Sequence, residues 1–133
     1  MDYTTQIKQR LIEDVDIRGK KVSIDKGCVP LVKFFNENGL DTKFCCEGHH
    51  KYENFEIMFE DYITDEQIFD FLNEYANKYD HSPFIGKFVK WSRRMSGCIA
   101  SSWLYAVDTV EQADIDYKRL ISDEFKIKHK NKF

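Results

Sequence analysis

The stretch NFEIMFE, residues 54–60, alternates apolar and polar side chains without interruption. Phe55, Ile57 and Phe59 would face one way and Glu56, Met58 and Glu60 the other, which is typical of a strand with one buried face. A second extended segment over residues 41–46 precedes it and runs directly into Cys45-Cys46-Glu47-Gly48-His49-His50. Because the two segments are close in sequence, they favour antiparallel pairing.

Helix signals surround this pair of strands. An apolar stripe over residues 27–38 predicts a helix, with Pro30 in its first turn and Gly39 past its end. Thr64 and Gln67 form a capping box, and Ile63 can staple onto Ile68 at the start of a second helix. Two further strands are expected at residues 86–95 and 98–107, and a last helix is expected to begin near residue 109.

The chain ends are expected to lie outside this pattern. Apolar residues repeat every four positions at Tyr3, Ile7, Leu11 and Val15 and predict an N-terminal helix over residues 3–18. The basic segment 124–133 is expected to fray. The predicted order is α-αββ-αββ-α. We therefore expect a single α+β domain, residues 1–133, whose four-stranded and mainly antiparallel sheet carries helices on one face.

Composition excludes some classes of function. The 133 residues carry a formal net charge of −3, so bulk electrostatics does not predict nucleic-acid binding. The sequence has no apolar run long enough for a membrane span and no secretory signal, so we expect a cytoplasmic protein with reduced cysteines. Aromatic residues reach 15%, and this surplus suggests contact surfaces and a homo-oligomer.

The Cys/His run, residues 45–50, has four interpretations. Cys46 and His49 have the C-x-x-H spacing of a metal chelate, but a second tight ligand pair is absent. A thiolate beside a histidine is a candidate nucleophile, although no orienting third group is evident. Cys46 can also be a small core residue on the Phe44 side of the strand. Alternatively, Gly48 makes a turn whose free backbone N–H groups bind an anion.

The last two strands favour the anion-binding interpretation. Small residues at alternate positions of residues 98–106 suit helix packing, which would place Phe88, Lys90, Arg94, Trp103 and Tyr105 on the open face of the sheet. Such a face with aromatic rings and cations can stack bases and neutralise phosphates, can form a dimer interface, or can be covered by the N-terminal helix as part of the core. The candidate ligand-binding residues are therefore Glu47, Gly48, His49, His50, Lys90, Arg94, Trp103 and Tyr105. We assign no catalytic residue and expect no cofactor.

The chain also resembles a protein family. The matching positions are Leu31-Val32-x-Phe34-Phe35-Asn36-x-x-Gly39-Leu40-x-Thr42-x-x-Cys45-Cys46-Glu47-Gly48-His49, Gly86-Lys87-Phe88-Val89-Lys90-Trp91-x-Arg93 and Trp103-x-Tyr105. They are similar to a small phage- and Firmicutes-type family without an assigned activity, over about residues 22–120. Where this chain has Cys45 the family more often has Ser, so the resemblance favours Cys46 and His49 as its characteristic residues.

Three functions follow as hypotheses. The first is a phage-type binding protein that captures a nucleotide-like anionic ligand, with a role in countering host defence. The second is a protein inhibitor that binds a host defence enzyme through an aromatic sheet face. The third is a small zinc- or cysteine-dependent enzyme.

Zinc content distinguishes the third hypothesis. Because the Cys46/His49 pair lacks a partner pair, we expect purified protein to contain no stoichiometric zinc. Elemental analysis of the wild type and of Cys46→Ser measures this. About one zinc per chain, lost in the Cys46→Ser variant, would show that the expectation is wrong.

Overall fold

A computed structural model describes residues 11–48, 54–78 and 84–122, without the side chains of residues 76–78. A short 3₁₀ turn at Lys26–Cys28 leads into the first helix. The helices and strands, in chain order, are β1 (Ile12–Ile17), β2 (Lys20–Asp25), α1 (Val29–Glu37), β3 (Thr42–Cys46), β4 (Phe55–Phe59), α2 (Asp65–Lys78), β5 (Lys87–Met95), β6 (Cys98–Val107) and α3 (Val110–Ser122).

The strands form two antiparallel sheets. β3, β4, β6 and β5 lie in that order in a four-stranded sheet, and β1 pairs with β2 in a separate hairpin. All three helices contribute side chains to one buried cluster with the inward residues of β4, including Phe35 of α1, Phe71 of α2 and Leu120 of α3. The predicted α+β class and its four-stranded antiparallel sheet are confirmed.

The predicted N-terminal helix over residues 3–18 is wrong where the structure describes it. Ile12–Ile17 is a strand, and residues 3–10 lie outside the described parts. Arg18 and Gly19 both have positive φ, 51° and 83°, which is the geometry of a two-residue hairpin turn. The sequence Arg18-Gly19 therefore reverses the chain rather than ending a helix.

The helix signals near the middle of the chain are confirmed. Thr64 accepts from the Gln67 backbone N–H at 3.1 Å, and the Gln67 side chain accepts from the Thr64 N–H at 2.9 Å, which completes the capping box. At the start of α3, one of the two hydrogen bonds of a capping box is formed. The Gln112 N–H donates to Thr109 Oγ1 at 3.2 Å, while Gln112 Oε1 is buried without a hydrogen-bond partner in the described chain.

The predicted faces of β5 and β6 are reversed. Tyr105 pairs with Ile57 and Phe88 pairs with Tyr105, so their side chains point into the core with Phe55, Ile57 and Phe59. Phe88 stacks on Phe59 with a centroid separation of 6.1 Å. The helices pack against large aromatic rings of β5 and β6. The small residues of β6 lie on the opposite face, so they do not indicate which face the helices cover.

The same reversal applies to β3. Cys45 pairs with Ile57 and packs against the core, whereas Phe44 pairs with Met58 and is 56% exposed. A bulge between Thr42 and Phe44 changes the alternation, so Thr42 also points inward. The prediction that Cys46 lies on the core side with Phe44 is therefore wrong, and Cys45 occupies that position.

One buried carboxylate ties α3 to the sheet. Asp116 is fully buried and accepts the backbone N–H groups of Ile85 and Gly86, each at 2.9 Å. It also accepts the Tyr105 hydroxyl at 2.6 Å. Gly86 is required here because a Cβ at this position would lie 2.5 Å from the Tyr105 ring. Burial and the Asp116 carboxylate raise the pKa of Tyr105, which therefore remains a hydrogen-bond donor.

Removing this carboxylate should destabilise the fold. We expect Asp116→Ala to lower the free energy of unfolding by about 3–4 kcal/mol, because several donors to a charged acceptor lose their partner. Tyr105→Phe removes one of those donors and should cost about 1–2 kcal/mol. Urea denaturation measures both changes.

Asp114 on the same helix provides the control. It is exposed and pairs with Lys118 one turn away at 2.9 Å. Such surface pairs contribute little, so Asp114→Ala should change stability by less than about 0.5 kcal/mol. Equal losses in Asp114→Ala and Asp116→Ala would contradict a special role for Asp116.

Candidate functional site

A groove separates the β1–β2 hairpin from β3, the edge strand of the larger sheet. Its volume is about 660 Å³, within the range typical of small-molecule sites. Ile12 and Val22 of the hairpin line one wall, and Phe44, Cys45 and Cys46 of β3 line the other. Cys45 and Cys46, the first two residues of the Cys/His run, therefore line one wall of this groove.

Arg18 joins the hairpin tip to the sheet. Its guanidinium donates to the Thr42 carbonyl and to Glu60 Oε2, both at 3.3 Å, and to the side-chain oxygen of Asn36. Asn36 in turn donates to Thr42 Oγ1 at 2.8 Å and accepts the Thr42 N–H at 3.1 Å. These bonds link β1–β2, α1 and β3, so the walls of the groove are held at a defined separation.

The groove combines cations with an exposed ring. Lys20 and Lys43 line it, together with the half-exposed ring of Phe44. Lys43 bonds Asp61, whereas Lys20 has no ion-pair partner among the residues that the structure describes. Two carboxylates, Asp25 and Glu60, also lie on the lining, and Glu60 is neutralised by Arg18. An ammonium group beside an aromatic face suits an anionic ligand that carries a flat ring.

Cys45 and Cys28 form a thiol pair behind the β3 wall. Cys28 is completely buried just before α1, and its thiol interacts with that of Cys45. Thiol–thiol hydrogen bonding raises the pKa of Cys28, with burial as the second cause, and lowers the pKa of Cys45. Cys45 is only half-buried and is therefore the more reactive thiol of the pair.

The turn after β3 is already occupied by internal hydrogen bonds. Gly48 has a positive φ of 82°, as a tight turn requires. The Glu47 N–H donates to Asp25 Oδ2 at 3.0 Å, and the Gly48 N–H donates to Cys46 Sγ at 3.5 Å. These two N–H groups are therefore not free for an anion, contrary to expectation. His49 and His50 lie outside the described residues.

The described residues around this turn do not form a metal centre. Within residues 11–48, 54–78 and 84–122, no group of three or more His, Cys, Asp or Glu side chains is arranged to hold an ion. The predicted metal pair, Cys46 and His49, includes a residue that is not described. The expectation of no zinc therefore stays a prediction.

The predicted ligand residues of the second half do not join the Gly48 turn. Trp103 lies two strands from Cys46 and three residues further along the sheet, a separation of about 14 Å at usual strand dimensions. Lys90 Nζ and Trp103 Nε1 both donate to Asp65 Oδ1 at 2.8 Å. These contacts, that of Lys90 first, lower the pKa of Asp65.

Two other predicted ligand residues are also placed differently. Tyr105 is completely buried and cannot stack on a ligand. Arg94 is exposed near the far end of β5, beyond Lys90. The structure thus brings Lys90 and Trp103 together around Asp65 and separates them from Glu47 and Gly48.

The sequence missed the groove residues Arg18, Lys20, Lys43 and Phe44. Arg18-Gly19 was the available signal, because interpreting it as a hairpin turn would have predicted β1 and β2 and hence a second edge beside β3. Alternation correctly places Phe44 and Cys46 on one face of β3, but that face was predicted to be the core and is the exposed one.

The thiol pair predicts a pH-dependent reactivity. In a Cys46→Ser/Cys98→Ser background, Cys45 remains the accessible thiol. Cys28→Ala removes the donor that favours the Cys45 thiolate, so the midpoint of its alkylation rate should move to higher pH. Cys28→Ser keeps a donor and should move it less. Iodoacetamide rates between pH 6 and 10 measure this, and an unchanged midpoint in Cys28→Ala would exclude Cys28 as the cause.

Comparison with known proteins supports the phage resemblance. No curated protein and no solved structure matches the chain. No helix in the described ranges is both long and apolar enough to cross a bilayer. The family model described as YoqC prophage protein matches residues 15–130, which include every described helix and strand except the first residues of β1 and the whole groove lining except Ile12. The chain belongs to the YoqC prophage protein family.

Proposed function

We propose that this prophage protein is a binding protein that captures a nucleotide-like anionic small molecule in the groove between its hairpin and β3. The observation that carries the proposal is the groove itself, about 660 Å³, with Lys20, Lys43 and the ring of Phe44 on its lining. The volume suits a mononucleotide or a small dinucleotide. No described residue set points to a nucleophile with an orienting base, so binding is favoured over catalysis.

The roles of the groove residues follow from their chemistry. Phe44 is the large exposed ring on the groove lining, and such a ring stacks on a base without sequence preference. Lys20 can approach a phosphate without first breaking an ion pair in the described chain. Arg18 holds the two walls together through Asn36, Thr42 and Glu60, which makes it a positioning residue.

The biological role proposed for this binding is counter-defence. A prophage gains when its host's nucleotide signals are sequestered, because the signal then fails to reach its effector. The support is membership of a prophage family together with a ligand-sized groove. The proposed class of ligand is argued from the groove, and the proposed counter-defence role is argued from membership of the prophage protein family.

A nucleotide panel tests the proposal. Thermal shift with mononucleotides and cyclic dinucleotides identifies a stabilising ligand, since binding to the native state raises the midpoint. Calorimetry then gives its affinity. Phe44→Ala should weaken binding by about 1–3 kcal/mol, the usual range for one stacking contact, and Lys20→Ala should weaken phosphate-bearing ligands most.

The chain offers matched controls. Phe69 is 50% exposed on α2, and Lys118 is exposed on α3, so Phe69→Ala and Lys118→Ala remove the same side-chain types elsewhere. Neither should change affinity. Loss of binding in Trp103→Ala with no effect of Phe44→Ala would instead place the ligand at the residues predicted from the sequence. No stabilisation by any nucleotide would exclude the proposal.

A second candidate function is inhibition of a host protein. The sheet face opposite the helices carries apolar side chains at its centre, with Phe44, Met58, Leu104, Val89 and Trp91 in adjacent rows. Phe44 and Val89 are 56% and 41% exposed. Partly exposed aromatic and methionine side chains on a sheet face are typical of protein interfaces, and this face would also accommodate the predicted homo-oligomer.

A further inference from the structure

The β5–β6 hairpin extends well beyond the rest of the sheet. β4 pairs with β6 only from Phe55–Val107 to Met58–Leu104, whereas β5 and β6 remain paired as far as Met95 and Cys98. Residues 92–101, here called the β-arm, therefore have no strand beside either outer edge in the described chain. Unpaired backbone groups along such an edge can accept an additional strand.

Both charged residues of the β-arm are cations. The arm contains Arg93 and Arg94 and no carboxylate, in a chain whose net charge is −3. Neither arginine has an ion-pair partner among the described residues. Arg93 lies over the Trp91 ring at 5.3 Å from its centroid. Because the two arginines are neighbours on a strand, one projects from each face of the arm.

The β-arm also exposes large apolar side chains. Ile99 is 74% exposed and Met95 is 45% exposed, at the end of the arm where Gly97 makes the turn. A two-stranded hairpin with few tertiary contacts is only marginally stable in water, so a partner that buries these side chains would add stability. The β-arm contains arginine and methionine but no lysine, and Trp91 precedes it directly; arginine, methionine and tryptophan are enriched at protein interfaces, whereas lysine is depleted there.

We propose that the β-arm binds an acidic, extended segment of another protein by strand addition along β5. The backbone of that segment pairs with the outer edge of residues 92–95. Two consecutive acidic residues in the segment then meet Arg93 on one face and Arg94 on the other, and a flanking apolar residue covers Met95. This proposal is independent of the groove, which lies at the opposite edge of the sheet.

The same observations disfavour nucleic acid as the partner. Two cations neutralise few phosphates, and the counterion release that supports nucleic-acid binding grows with their number. Exposed Ile99 and Met95 add nothing to a phosphate contact. The overall charge of −3 opposes a polyanion, whereas a short acidic segment meets only the local charge of the arm.

Peptide selection tests the proposal. A display library of random 12-residue peptides is selected on the immobilised full chain, and enriched peptides are synthesised for fluorescence anisotropy. We expect them to contain adjacent Asp or Glu residues. Arg93→Glu/Arg94→Glu should weaken their binding at least about tenfold, as for charge pairs at an interface. Peptides with Lys in place of those acids should bind this variant better than the wild type.

The control variant reverses two cations elsewhere. Lys33 and Lys118 are exposed on α1 and α3, and Lys33→Glu/Lys118→Glu should change peptide affinity less than about twofold. Arg93→Ala/Arg94→Ala removes both charges without reversing them, and thermal melting checks that the arm remains folded. This variant separates the loss of the arginine contacts from an effect of charge reversal on the structure of the arm. Enriched peptides without acidic residues, no enrichment, or equal binding to all variants would overturn the proposal. A labelled 20-base-pair duplex that binds the wild type and not Arg93→Glu/Arg94→Glu would replace it with a nucleic-acid surface.

Discussion

The Asp116 carboxylate determines which side of the sheet becomes the core. It draws the Tyr105 hydroxyl and the N–H groups of Ile85 and Gly86 to one buried point on α3. With Tyr105 facing inward, strand alternation sends Phe88 inward and Leu104 and Val89 outward. A buried carboxylate is tolerated here because each of its oxygens accepts hydrogen bonds, so the cost of desolvation is offset locally.

The positions that could be read from the sequence are those set by local chemistry. The Thr64/Gln67 box marked the start of α2, and Gly39 with φ of 86° marked the end of α1. Faces could not be assigned in this way, because alternation gives two sides of a strand without saying which is covered. Gly86 carried the missing information, since its hydrogen atom is what admits the Tyr105 ring. That contact spans nineteen positions of the chain.

The candidate site was also predictable only in part, because one wall of the groove depends on local sequence and the other depends on distant contacts. The sequence drew attention to residues 45–50, and β3 does form a wall of the groove. The opposite wall comes from the hairpin, which depends on two positive φ values at Arg18 and Gly19 and on hydrogen bonds from Arg18 to Asn36, Thr42 and Glu60. Hydrogen bonds between residues so far apart in the chain produce no periodic pattern in the sequence. Alternation groups Cys46 with Phe44 and separates both from Cys45, but it does not show that the Cys45 side is the covered one.

The sheet therefore presents different chemistry at its two edges. The β3 edge has a groove with an aromatic ring and ammonium groups, the β5 edge ends in a basic arm, and the sheet face with the exposed Phe44 and Val89 lies between them. Coupling between two sites requires an element with two alternative arrangements. What connects these edges is the cluster of interlocked rings around Phe35, Phe59, Phe88 and Tyr105, whose packing is close. A core of that kind resists rearrangement, so occupancy of the groove and of the arm should be energetically independent.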